Sequence, residues 1–121
     1  MPNLRYNWIM KILDKEIQKT DLANCKNVLD GAMVKGVVDV EKKLLGIDAE
    51  MHADIEQLFL EKGSNQDNLW GINLWFEEAG DDFIEFDSMI NIRPRQGNRS
   101  RDIESPEIRK KIEQVVTKWI K

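Results

Sequence analysis

Two neighbouring stretches, 70–76 and 83–93, alternate apolar residues with polar or small ones, and this alternation limits the fold more than any other feature. A period of two places successive side chains on opposite faces of a strand, so each stretch acquires two faces. In the first, Trp70, Ile72, Leu74 and Phe76 share one face, leaving Gly71, Asn73 and Trp75 on the other. In the second, Ile84, Phe86, Ser88, Ile90 and Ile92 share one side, provided no bulge shifts the register. The opposite row then carries Phe83, Glu85, Asp87, Met89, Asn91 and Arg93, and Asn73 joins it from the adjacent strand. Asp and Asn form strands poorly, and a solvated sheet face normally carries Thr, Lys and Glu. Their presence in one row points to a polar site.

The remaining chain supplies strands and helices around this pair. Residues 10–17 read as a strand; Thr20 and Asp21 start a helix in which Leu22, Cys25 and Leu29 recur, and Gly31 stops it. Residues 34–40 and 44–47 read as a hairpin joined at 41–43. Met51, Ile55, Leu58 and Phe59 form one apolar stripe over 49–62, with Gly63 as the stop. Pro94 interrupts the ladder and ends the last strand. Ser105, Pro106 and Glu107 open a final helix with a cap, a first-turn proline and an acid near the positive dipole end. Its apolar stripe is Ile108, Ile112, Val115, Val116, Trp119 and Ile120. The order β-α-β-β-α-β-β-α, with 83–93 as one strand or split in two, predicts a single α+β domain over 10–121, a mainly antiparallel sheet with about three helices packed on one face. A loose N-terminal extension is expected over 1–9.

A chain of 121 residues is long enough for one domain with a real core, without disulfides or a structural metal. Cys25 and His52 are the only residues of their types, which excludes an intramolecular disulfide, a Cys-rich zinc site and any mechanism needing two imidazoles. Cys25 reads as a small core residue rather than a nucleophile, because no activating partner is recognisable near it. No apolar run approaches the roughly 20 residues of a membrane span, and no secretory signal opens the chain. A reducing cytoplasm is the expected compartment. The net charge of -4 argues against a nucleic-acid coat, as does the core spacing of the aromatics. The charge is nonetheless uneven: six acidic residues and no basic one lie between Glu77 and Asp87, and seven basic residues against three acidic lie between Arg93 and Lys111.

The segment from Asn91 to Ser100 concentrates donors. Arg presents a planar fork that matches carboxylate or phosphate oxygens, and the Gly97-Asn98 pair tolerates the positive φ angles that let backbone amides converge on an anion. With residues brought in from the helix and strand ends, a cleft is expected in which Glu85, Asp87 and His52 are the candidate catalytic groups. The candidate ligand-binding groups are Arg93, Arg95, Asn98, Arg99, Ser100, Asn91, Asn73 and Gln66. His52 and Glu56, four residues apart, share one helix face and are able to meet around a metal or a proton; two ligands are too few to assign a metal site, and no cofactor is assigned.

Several of these segments resemble one known family. Met33-Val-Lys-Gly-Val-Val-Asp-Val-Glu41, Glu50-Met-His-Ala-Asp-Ile-Glu56, Gly63-Ser-Asn-Gln66, Leu69-Trp-Gly-Ile-Asn73 and the run from Phe83 to Ser100 together are similar to a family of small prokaryotic proteins known only as a domain of unknown function. The resemblance covers the chain from about Met10 to its end. It implies membership without implying an activity, cofactor or catalytic residue, and it implies that residues 1–9 are an extra leader.

Two functions of different class follow from the residues. In the first, the 85–100 segment forms a cleft that binds an anionic small molecule or nucleotide and acts on it by hydrolysis or transfer. In the second, the polar motifs are structural and the chain is an interaction or homodimerisation module. Trp8, Trp75 and Trp119, if partly exposed, then join Arg side chains in an interface, and the acidic and basic strips pair across a two-fold axis.

Overall fold

The computed structural model describes residues 9–121; the greater part of the expected N-terminal extension, residues 1–8 with Trp8, lies outside them. Five strands form one antiparallel sheet: β1 (Lys11–Ile12), β2 (Met33–Asp39), β3 (Leu44–Ile47), β4 (Leu69–Trp75) and β5 (Ile84–Glu85). Their spatial order is β1-β3-β2-β4-β5, so β2 and β4 are central. The expected hairpin is β2–β3, with Val37 opposite Gly46 and Asp39 opposite Leu44. Asp39 is fully buried and fastens the turn: its Oδ1 accepts from the Glu41 and Lys42 amides at 3.0 and 2.9 Å, and its Oδ2 accepts from the Ser64 hydroxyl at 2.7 Å.

Helix α1 (His52–Glu61) and helix α2 (Pro106–Trp119) complete the domain, with a six-residue 3-10 helix at Lys19–Asn24 in place of the first expected α-helix. The α+β class, the element order and the antiparallel sheet agree with the expectation, but the helices do not share a face. Ile55 and Phe59 of α1 pack with Val37 and Leu69. Ile112, Val115 and Val116 of α2 pack with Val34, Val38, Leu45, Ile47, Trp70, Ile72 and Leu74. Across β2–β4 the pairs Val34–Leu74, Gly36–Ile72 and Val38–Trp70 alternate with Lys35–Asn73, Val37–Gly71 and Asp39–Leu69, so these two sets of neighbours lie on opposite sides of the sheet. The row of Gly71 and Asn73, which carries the expected polar site, is buried. Small residues there admit a covering layer rather than water. A Cβ on Gly46 would lie 2.7 Å from Ile55 and 2.9 Å from Phe59, and one on Gly71 would lie 2.6 Å from Ser88.

The expected strand over 83–93, whole or split in two, is the second correction. Only Ile84 and Glu85 pair with β4; the chain then leaves the ladder for two 3-10 turns, Met89–Asn91 and Pro94–Gln96. A side chain replaces the missing strand. Asn91 Oδ1 accepts from the Gly71 amide at 2.8 Å, and Asn91 Nδ2 donates to the Gly71 carbonyl at 3.0 Å. A carboxamide carries the same donor and acceptor as a peptide unit, so it satisfies an edge residue as a neighbouring strand does. Helix α2 starts as its sequence predicts: Ser105 Oγ accepts from the Ile108 amide, and Pro106 occupies the first turn.

Candidate functional site

The β2–β4–β5 register places Lys35 opposite Asn73 and Asn73 opposite Glu85, which makes one polar row across three strands. His52, the first residue of α1, is buried against this row. Its Nε2 lies 2.7 Å from the Ile72 carbonyl oxygen. A carbonyl only accepts, so Nε2 carries the proton and Nδ1 keeps its lone pair in the neutral ring. Burial pushes the His52 pKa down from 6.5 to about 4, opposed by the Ile72 contact; Lys35 lowers it further, and Asn73 and Asp87 favour the protonated ring.

Asn73 Nδ2 donates to Glu85 Oε1 at 2.9 Å and to the Asp87 carbonyl at 3.2 Å. Both partners are acceptors, which fixes the amide orientation and turns Oδ1 away from them. That oxygen has no donor, and it is the one buried side-chain polar atom without a partner among the described residues. Glu85 Oε1 also accepts from the Trp75 indole at 3.1 Å, so one carboxylate oxygen is held by two donors. Asp87 Oδ1 pairs with Arg101 Nε at 2.6 Å; both side chains are about half exposed, so solvent screening keeps the pair worth no more than about 1 kcal/mol.

The other predicted residues lie elsewhere along β4. Arg93 Nε donates to the Ile90 carbonyl at 3.0 Å, and one terminal nitrogen donates to the Gln66 carbonyl at 2.8 Å and to Gln96 Oε1 at 3.2 Å. The second terminal nitrogen donates to the Leu69 carbonyl, and the guanidinium stacks 4.4 Å from the Trp70 ring centroid. Burial lowers its pKa, with no effect on its charge at neutral pH. Both Arg93 terminal nitrogens, and its Nε, are thus engaged by main-chain carbonyls. Gln66 reaches Glu56 at 3.4 Å, so Glu56 and His52 have different partners and do not form a pair. No group of three or more potential metal ligands converges among the described residues.

Asn98, buried, ties the loop that follows Arg93. Its Nδ2 reaches the carbonyls of Asn91 and Asp102 at 2.7 Å and of Ser100 at 3.1 Å, and its Oδ1 accepts from the Glu104 amide at 2.8 Å. Glu104 in turn accepts from the Arg99 amide and the Ser100 hydroxyl. The guanidinium groups of Arg95 and Arg99 are exposed and have no partner among the described residues. Of the eleven residues expected to share a cleft or catalytic role, the structure brings together His52, Asn73, Glu85 and Asp87. The sequence reading missed Lys35 and Arg101 beside them, and it assigned Trp75 to an interface. Lys35 had a signal: it is the one charged residue that interrupts the apolar run of 33–38.

Cys25 is buried, and burial followed by the Asp48 carboxylate pushes its thiol up to about 12, which suits packing rather than nucleophilic chemistry. No helix among the described residues is long and apolar enough to cross a membrane.

The fold and this row define an α+β protein with an antiparallel sheet covered on both faces and a polar cluster where β4 meets β5. Residues 11–119 match the family described as protein of unknown function (DUF5674), and the chain belongs to that family. No curated protein and no solved structure matches it.

Proposed function

We propose that the chain binds a small anionic molecule at the Asn73 end of the β4 edge. The observation that carries this reading is Asn73 Oδ1, a buried acceptor left without a donor while the His52 ring beside it is neutral. An unfilled buried acceptor costs about 1–3 kcal/mol, which a ligand N–H or O–H recovers. Lys35 and Arg101 flank the cluster and supply positive charge for the carboxylate or phosphate of the same ligand. The oxygen is covered in the unbound chain, so a ligand reaches it by displacing a neighbouring side chain. Glu85 retains the general-base role: Oε1 is held by Asn73 and Trp75, and Oε2 has no partner among the described residues. A reducing, cytoplasmic setting belongs to this reading, supported by a single buried cysteine.

A thermal-shift screen of hydroxycarboxylates, amino acids and sugar phosphates tests it. A ligand that prefers the folded chain raises the midpoint by linkage. The expected result is a saturable rise with at least one of these ligands that disappears in a Glu85→Gln, Arg101→Gln variant of unchanged fold. A shift that survives in the variant places the ligand elsewhere, and no shift with any member overturns the reading.

A second reading, an interaction or homodimer surface, is supported by Met89 and Ile92, which are 67% and 41% exposed on the loop that Asn91 and Arg93 pin down. Light scattering that returns the monomer mass up to millimolar chain concentration removes the homodimer.

A further inference from the structure

A cavity of about 500 Å³ lies between the β2–β3 turn and α2, on the opposite side of the sheet from α1. Lys111 and Lys118, seven residues apart, belong to one face of α2, and Gln114 and Val115 lie between them along the same wall. Lys43 and Val40 come from the turn. Glu41 is the single carboxylate in the lining, against three ammonium groups. The three ion pairs among the described residues involve Arg101, Arg109 and Lys121, so Lys43, Lys111 and Lys118 are neutralised by none of them. Lys118 makes only a cation–π contact, 5.1 Å from the Trp119 ring centroid.

The turn is also held in place. Lys43 sits at φ 58, a left-handed conformation that costs a non-glycine residue free energy, and its carbonyl accepts from the Trp119 indole at 2.9 Å. The indole therefore anchors the turn to α2 and holds the two walls of the cavity together. In a chain of net charge -4, gathering three unpaired ammonium groups around one concavity concentrates repulsion that a bound anion relieves.

We propose that this cavity is a binding site for a phosphate-bearing small molecule of nucleotide-like size, independent of the Asn73 cluster. Ammonium groups act as point charges suited to phosphate oxygens approached from several directions. The volume exceeds what a single phosphate needs and lies in the ordinary range for small-molecule sites. Val40 and Val115 offer apolar contact to the organic portion, and Gln114 offers a carboxamide for orientation.

The test is a titration of the full chain with inorganic pyrophosphate and, separately, with ADP at low ionic strength, read by calorimetry and by backbone amide NMR shifts. Expected are saturable binding, shifts confined to residues 40–43 and 111–119, and affinity reduced at least tenfold in Lys111→Gln, Lys118→Gln. A charge-matched control, Lys62→Gln, Lys110→Gln, removes the same charge from residues that do not line the cavity and is expected to bind within twofold of the parent. All four lysines are exposed, so both variants retain the fold. No saturable binding of either probe at millimolar concentration overturns the proposal. Equal weakening in the two variants overturns it as well, since the effect is then net charge. Tighter binding of a short DNA duplex than of ADP overturns the small-molecule assignment in favour of a nucleic-acid contact.

Discussion

The two ends of the β4 edge carry similar residue types and differ in how fully they are paired. At the Leu69 end, Arg93 and Asn91 direct donors and acceptors onto main-chain groups of Gln66, Leu69, Ile90 and Gly71. At the Asn73 end, the same carboxamide chemistry leaves Oδ1 without a donor, beside a neutral buried imidazole and an exposed carboxylate. Residue type alone therefore does not separate a structural polar residue from a functional one; saturation does. A group whose hydrogen-bonding capacity is spent on the backbone holds the chain in shape. One left with spare capacity in a buried place is available for a ligand.

The largest effect expected from this contrast is at Asn91. Asn91→Ala removes the partner of the Gly71 amide and carbonyl and of the Arg101 carbonyl, in a fully buried position. At about 1–3 kcal/mol for each buried group left unpaired, and with partial relief by entering water, the loss is about 3–5 kcal/mol. Urea denaturation measures it. A loss below about 1 kcal/mol breaks the contrast, because Asn91 then does not replace a strand.

Asn91 also shows where the sequence stops being informative. The alternation over 83–93 is real, yet it is produced by a two-residue strand and a 3-10 turn, because the edge is completed by a side chain that imitates a peptide unit. Periodicity over 83–93 does not report which residues are covered: Asn91, on the expected polar row, is buried, and Ile92, on the apolar row, is 41% exposed. The same limit explains the helices: no local pattern shows that the missing Cβ atoms of Gly46 and Gly71 let Ile55, Phe59 and Ser88 approach. What local chemistry dictates was legible. Ser105 caps α2, Ile55 and Phe59 of the expected α1 stripe are buried while Met51 is exposed, and Asn73 neighbours Glu85 as alternation placed them. Within the candidate site, His52, Asn73, Glu85 and Asp87 were readable as residue types. The positions of Lys35 and Arg101 beside them depend on strand register and on a loop path that no local pattern encodes.

His52 gives the next effect, through acid. Its folded pKa is about 4 against a reference of 6.5, so the folded chain binds fewer protons than the unfolded one between these values. Stability contributed by the neutral ring is complete above pH 6.5, falls as the pH drops through this window, and changes no further below about 4. The shift limits the loss to about 3 kcal/mol. Comparing denaturation free energies at pH 7 and pH 4 for the parent and His52→Gln isolates this contribution from the carboxylates. An identical pH dependence in both places the acid sensitivity elsewhere and removes His52 from the unsaturated end.

The smallest effect sharpens the contrast from the other side. Arg95 and Arg99 lie in the same loop as Arg93 and match it in charge, but their guanidinium groups are exposed and unpaired among the described residues, and Arg99 contributes to the loop only through its backbone amide. Arg95→Ala with Arg99→Ala is therefore expected to change unfolding free energy by less than about 0.5 kcal/mol, within the range of surface substitutions away from special features. Arg93→Ala, measured in the same urea series, loses the carbonyl clamp and is the internal standard for a saturated arginine. If the double variant costs as much as Arg93→Ala, the two exposed guanidinium groups have structural partners in solution, and pairing in the folded chain no longer distinguishes structural from available cations. If it costs nothing, both remain free charges on a rigid loop, and any ligand affinity lost in that variant reflects direct contact rather than a weakened fold.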